Sequence, residues 1–459
     1  MGAHKLGSVY ERLKKEAGDR LGIDAPTLAA FRVSLGVVVL VNLALRTRDL
    51  TAFYTDGGVL PPSVVTEQFS GVPRYSLYTL DGSFEFQALL FVLTAVFAVA
   101  LIVGHRTRLA AVCVFLLVLS LNARNTLLMN SGDKLLTRIL FWSVFLPLGE
   151  RWSLDARRRS RADERDGRGM VVSVATAGLL AQVVVVYAVN GIFKLRSEEW
   201  VAGEAVSMVF ELTAYTTPFG AFLTRFPDFL VFLNYLWVAM LVASPLLLVF
   251  KRWLRAAFVG LFVGAQVGLL VTMNLAIFPL VSIVGLVALT PPVFWDGVAR
   301  LRRRLGESQG AEAESDSRAG SVSESQPQRQ RSESDFRNLG LDAFLVSVPG
   351  LDADDPPSLQ RLGRIALSCV LAVILLTVLV MNASAVGYVD TSEVPEPVEE
   401  IKYKWSLFAP NPVSSDRWYV ARGKLESGDE VDPLHSSRSF EFDKRPDPFP
   451  NARWRKYLD

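Results

Sequence analysis

Apolar runs of about twenty residues, each long enough to cross a bilayer as a helix, recur along the chain between short basic or mixed connections. Spans are predicted at 27–45, 86–104, 109–128, 135–149, 170–193, 229–250, 254–274, 277–296 and 365–383. The connections between the third and fourth runs and between the seventh and eighth are the least sharply marked; "NLAIFP" is a short break with Pro279 close behind it. Helices are the expected spanning form, because lipid offers no partner for an unpaired backbone group. The predicted fold class is therefore an all-α polytopic membrane helical bundle of about nine transmembrane helices with a small β-rich C-terminal tail.

Polar segments divide the chain further. Residues 1–24 are charged and amphipathic and lack an apolar core followed by a small-residue cleavage site, so they read as a cytoplasmic N-terminus rather than a signal peptide. The bundle occupies 25–296. Within 297–360, the stretch 305–336 is rich in Ser, Glu, Gln and Gly and has little to bury, which predicts a disordered cytoplasmic linker before a juxtamembrane segment. A final transmembrane helix is expected at 361–385. The tail, 386–459, alternates short apolar pieces with turn residues, as in "DRWYVARGKLESGDEVD". "NAS" at Asn382 matches a glycosylation acceptor, although it lies close to the last span.

Lys and Arg orient the bundle. The N-terminal Lys5, Arg12, Lys14, Lys15 and Arg20, then "HRTR", "RWSLDARRRSRADERDGR", "KRWLR" and "RLRRR", all fall on one side of the predicted spans. The opposite loops, 46–84 and 195–228, are mixed or acidic. The N-terminus is thus predicted cytoplasmic and the C-terminus extracytoplasmic, in a multi-pass protein of the cell membrane.

Composition narrows the chemistry. The chain of 459 residues is 51% hydrophobic and 20% charged, which suits a membrane protein with the lipid bilayer as its main partner. A net charge of +2 gives no field that would draw nucleic acid. Cys113 and Cys369 sit in apolar runs and read as small buried hydrophobes. His4, His105 and His435 are far apart in sequence, and no metal motif is present.

Several polar residues fall where burial in a membrane is costly. They are Arg32, Arg124, Asp133, Lys134, Arg138, Asn190, Lys194, Gln266 and Asn274. Such groups usually face a bundle interior or a cavity; snorkelling to the interface is the alternative for those at span ends. Arg124, Asp133, Lys134 and Lys194 map to one outer leaflet. In the fifth run, Tyr187, Asn190, Gly191 and Lys194 are spaced i, i+3, i+4, i+7 and share one helical face. A lysine used only as an anchor needs no polar stripe running inward from it. Beyond it, "EEWVAGEAVSMVFELTAYTTPFGAFLTRF" is too polar to span and too apolar to be free, which predicts a helix lying in the outer interface over the bundle mouth.

The segments "AFRVSLGVVVLVNLALRTRDLTAFYTDGGVLP", "NSGDKLLTRILFWSVFLPLGERWSLD" and "YAVNGIFKLRSEEWVAG" resemble, in order, the horizontally transferred transmembrane (HTTM) domain. This domain is shared by vitamin K-dependent γ-glutamyl carboxylases and many prokaryotic homologues. The resemblance covers roughly residues 25–296, and "YKWSLFAPNPVSSDRWYVARGKLESGDEVD" with "NARWRKYLD" is similar to the tail of prokaryotic members. For the carboxylase, the resemblance implies that a lysine deprotonates vitamin K hydroquinone. Oxygen then yields a strongly basic alkoxide that removes a glutamate γ-proton, and carbon dioxide adds. Gly191, Lys194, Leu195, Trp200 and Gly203 fit the pattern around that lysine, so Lys194 is the implied catalytic base and a reduced quinone the implied cofactor. Two carboxylase histidines have no counterpart: one belongs within the equivalent of Asn130–Leu136, and Gln266 stands closest to the other.

Three functions remain in view. One is a membrane enzyme acting on a lipophilic quinone-like or lipid substrate, with Lys194 as base, Tyr187, Asn190, Asp133 and Gln266 at the substrate, and Arg124 with Lys134 stabilising negative charge there. Another is a non-catalytic scaffold in which Lys194 pairs with Asp133 and the tail contacts a partner of unknown identity. A transporter is the third, with no inverted repeat or paired broken helices to support it.

Overall fold

The computed structural model describes residues 16, 18–68, 75–159, 169–314, 357–389, 405, 407–413, 415, 422–432 and 449–458. The apolar runs fold into helices in the predicted order: α1 Ala25–Thr47, α2 Phe84–Val103, α3 Thr107–Arg124, α4 Ser131–Val144, α5 Val174–Leu195, α6 Pro227–Ala243, α7 Arg252–Thr272 and α8 Phe278–Val287. Then come α9 Pro292–Glu314, α10 Pro357–Ala385 and a terminal α11 Ala452–Leu458.

The expected count of nine spans is not confirmed. Among the described residues six helices are long and apolar enough to cross a membrane (α1, α2, α3, α5, α7 and α10), or seven if α8 and the start of α9, bent by 89°, count as one. α4 has 14 residues, a rise of about 21 Å, and α6 has 17, about 26 Å, against a hydrocarbon core of about 30 Å. α4 is cut short at its start by a reciprocal cap: Asn130 accepts from the Asp133 amide and Asp133 from the Asn130 amide. Pro147 follows shortly after its end.

Other boundaries also shift. α9 continues to Glu314, so 305–314 is helical where linker was expected, and 315–356 lies outside the described residues. α10 begins at Pro357, before the expected 361. Asn382 is buried on it and donates its amide to the Val378 carbonyl at 2.7 Å, which leaves it poorly placed as a glycan acceptor. Cys369 is exposed, not buried. Among the described residues the tail holds strands Gly423–Lys424 and Glu430–Val431, paired antiparallel, and the helix α11. The loop after Lys194 folds as three short helices, Glu198–Ala202, Ala205–Glu211 and Pro218–Leu223, where one was expected.

α5 is the centre. It packs against α4, α6, α8 and α10, and 72% of its apolar window is buried, against 22% for α7 and for α10. Gly191 permits this: a methyl there would lie 3.0 Å from the Leu241 carbonyl carbon of α6. The periphery leaves Leu89, Val92 and Val96 of α2 and Val370, Val373 and Leu376 of α10 exposed, the surface that lipid contact requires.

The two ends of the bundle are pinned differently. At the start of α1, Ile23 and Asp24 pair antiparallel with Val171 and Met170 before α5. Nearby, the buried Arg32 guanidinium donates to the carbonyls of Leu148 (3.1 Å), Arg151 (3.3 Å), Ile102 (3.3 Å) and Trp152 (2.6 Å). It braces two connections and does not snorkel. At the opposite end α1, α3 and α5 finish, α4 begins, and the tail returns to the bundle.

Candidate functional site

α5 brings Tyr187, Asn190 and Lys194 onto one buried face, as their spacing predicts, but the face meets two different neighbours. The deeper one is α7. Gln266 donates through Nε2 to the Tyr187 hydroxyl at 3.1 Å, and the Tyr187 ring meets Phe262 edge-on with centroids 5.0 Å apart. The other amide atom, Gln266 Oε1, is buried without a hydrogen-bond partner among the described residues.

The second neighbour is the tail. Asn190 Nδ2 donates to the Trp405 carbonyl at 2.8 Å, Lys194 Nζ to the Leu407 carbonyl at 3.1 Å, and Trp200 Nε1 to the Phe408 carbonyl at 2.7 Å. Lys194 is 1% exposed, and its Nζ stands 3.2 Å from the centre of the Trp200 ring, a cation–π contact. Trp200 is held in turn: Asn234 donates to its carbonyl at 2.8 Å and accepts from the Val206 amide at 3.3 Å. Gly203, with φ +88, ends the short helix under Trp200 in the left-handed turn that favours glycine. The local pattern Lys194, Trp200, Gly203 is thus one structural unit.

Arg124 and Asp133 do not join this unit; neither makes a hydrogen bond or ion pair with Lys194. Arg124 donates to the carbonyls of Tyr78 (3.1 Å), Leu60 (3.2 Å) and Phe53 and lies 5.3 Å from the Tyr54 ring, so it braces the loop between α1 and α2. Asp133 is fully buried and ion-paired to Arg46 at 2.9 Å and to Arg453 at 3.1 Å. Arg46 also reaches Asn42, Asn122 and the Tyr54 hydroxyl, and Arg453 the Asn42 side chain and the Leu128 carbonyl. Lys134 is half-buried one turn before Arg138, whose guanidinium lies 4.8 Å from the Trp405 ring.

The residues missed by reading the sequence are therefore those of the tail, Trp405, Leu407, Phe408 and Arg453, together with Arg46. A signal was present: "WSLFAPNP" and "NARWRKYLD" carry aromatic side chains that a free polar tail has no use for. Trp405 is fully buried, and Trp454 packs on Phe53 with centroids 4.7 Å apart while donating to Asp49 at 3.0 Å.

Among the described residues no group of three His, Cys, Asp or Glu could hold a metal ion. A comparison with curated proteins finds no match, and a comparison with solved structures finds none either. The HTTM domain model matches residues 22–294, from the strand before α1 to the start of α9, and the chain belongs to that family of multi-pass membrane proteins.

Proposed function

We propose that this protein is a membrane enzyme acting on a lipophilic quinone-like or lipid substrate, with Lys194 as its base. Lys194 itself carries the reading. It is an amine buried at the end of α5, bound to one carbonyl and one aromatic face, with no carboxylate ion-paired to it among the described residues. A lysine kept for stability would be expected to face a buried carboxylate. Asp133, its expected partner in the scaffold reading, is taken by Arg46 and Arg453.

The neighbouring groups suit a substrate oxygen. Asn190 Nδ2 and Trp200 Nε1 are donors on either side of Lys194 Nζ. Among the described residues Gln266 Oε1 has no donor; it lies one layer deeper, beside the Tyr187 hydroxyl, and fits a substrate hydroxyl. Lys194 would take the proton from a phenolic hydroxyl, while Asn190 and Trp200 stabilise the charge left on oxygen. Glutamate carboxylation is not proposed: Gln266 stands closest by spacing to a histidine of the carboxylase, and an amide does not exchange a proton near neutral pH. Arg124, Asp133 and Lys134 are assigned to the architecture around the site.

The Lys194 end is taken as extracytoplasmic. Arg106, Arg108, Arg151, Arg300, Arg302, Arg303 and Arg304 gather at the Arg32 end, as the positive-inside tendency favours. Glu16 lies there too, paired with Lys251 at 2.9 Å, and Leu407 of the tail lies at the other end, against Lys194.

The test is quinol epoxidation by the purified protein in liposomes. Lys194→Ala should abolish turnover, falling by about 10²-fold or more, as loss of a positioned base does, while the tail stays docked through Arg453. Equal activity in both proteins, or none in either, removes the reading. A non-catalytic scaffold is the second reading, favoured by the depth at which Arg453 and Trp405 dock the tail.

A further inference from the structure

We propose that the tail residues Trp405, Leu407, Phe408 and Ala409 form an intramolecular lid on the Lys194 site, which a substrate must displace. The proposal rests on the reading of Lys194 as the base. The three donors assigned to the substrate, Asn190 Nδ2, Lys194 Nζ and Trp200 Nε1, are each occupied by a tail carbonyl, from Trp405, Leu407 and Phe408. A substrate oxygen and these carbonyls cannot hold the same donors at once. All three contacts are made by main-chain oxygen, so any ligand presenting carbonyl or phenolic oxygens competes for them on equal terms.

The segment is built to let go at its middle. Leu407 and Phe408 adopt φ +27 and +63, two consecutive side-chain-bearing residues in the left-handed region that favours glycine. Backbone strain of this kind persists where its surroundings impose it and gathers at ligand clamps and switches. The flanks are firm: Trp405 and Ala409 are buried, with Trp405 under Arg138, whereas Leu407 and Phe408 are half-buried. Phe408 meets Tyr215 edge-on at 5.1 Å. Opening thus needs the two strained residues to relax and the Trp405 carbonyl to turn away from Asn190, with the Trp405 ring under Arg138 and the Arg453 ion pair left in place.

Acetylation by a water-soluble amine-reactive ester, read residue by residue by mass spectrometry on the full chain in liposomes, tests this. In the wild type Lys194 should label far more slowly than the exposed Lys424, by about 10²-fold or more, at a rate insensitive to low urea, the mark of local opening. Proline cannot adopt a positive φ, so Leu407→Pro should raise Lys194 labelling about tenfold with the thermal midpoint preserved. A folded Leu407→Pro protein that labels no faster overturns the lid, as does wild-type Lys194 labelling as fast as Lys424. Should Leu407→Pro fail to fold, the wild type decides: labelling that follows global unfolding in urea makes the tail a fixed wall. A protein that opens in this assay yet epoxidises no quinol keeps the lid and loses the quinol reading.

Discussion

Asp133 takes both terminal nitrogens of Arg453 at 3.1 Å, joining residues 320 apart in the chain. The paired geometry is the strong form of the arginine–carboxylate contact, and Arg46 shares the same carboxylate at 2.9 Å. It ties the last residues of the tail to the start of α4, at the end of the bundle that holds Lys194.

Breaking that pair leaves buried charge behind. Arg453→Met should destabilise the protein by about 3–5 kcal/mol, and Asp133→Asn by a similar amount, since each strands a partner. The double variant should lose less than the sum of the two. Chemical unfolding in detergent checks this; additive losses would mean that the two side chains do not act together.

Arg124 donates to three loop carbonyls, those of Tyr78, Leu60 and Phe53, of which the first also accepts from Gln87 Nε2 at 3.0 Å. Arg124→Met should cost about 2–4 kcal/mol, as buried carbonyls lose their donors, and should loosen 50–80 in hydrogen exchange. Lysine, a point charge on a flexible stem, should restore only part of that protection. Unchanged exchange in this loop would refute the brace.

Two helical glycines differ in what surrounds them. An added methyl at Gly132 would lie 2.7 Å from the Phe278 amide nitrogen, and at Gly191 3.0 Å from the Leu241 carbonyl carbon. Alanine favours helix by about 1 kcal/mol over glycine, yet Gly132→Ala should lower the thermal midpoint, and lower it more than Gly191→Ala. A rise in either would show more room between these helices than the packing allows.

Asp155 lies at the Arg32 end, outside the spans. Burial by itself pushes its carboxyl up, but hydrogen bonds from the Thr107 hydroxyl (2.6 Å), the Thr107 amide (2.8 Å) and the Arg106 amide (2.9 Å) outweigh this and hold it below the usual 3.8. A depressed folded value means stability that is present above the unfolded value and lost as pH falls through the folded one. Asp155→Asn should therefore lower the thermal midpoint at pH 7, with the gap closing below about pH 4. A gap of equal size at both pH values would assign the loss to shape, not charge.

Much of the bundle was legible in the chain. Apolar runs mark where helices lie, because backbone in lipid has no other way to satisfy its polar groups. The i, i+3, i+4, i+7 spacing correctly put Tyr187, Asn190 and Lys194 on one face of α5. The number of spans was less legible, since run length alone does not show that α4 begins at a cap or that α8 bends into α9.

What the sequence determined by itself is the local chemistry: helices, the polar stripe on α5, and the basic connections at one end. Which groups meet was decided by the tertiary structure. Lys194 and Asp133 looked like partners because both map to the same leaflet, but position along the membrane normal leaves their placement around the bundle open. Packing turned Asp133 toward Arg46 and Arg453, and delivered the carbonyls of Trp405, Leu407 and Phe408 to Asn190, Lys194 and Trp200. Main-chain oxygens carry no residue identity, so contacts made through them leave no mark in a sequence.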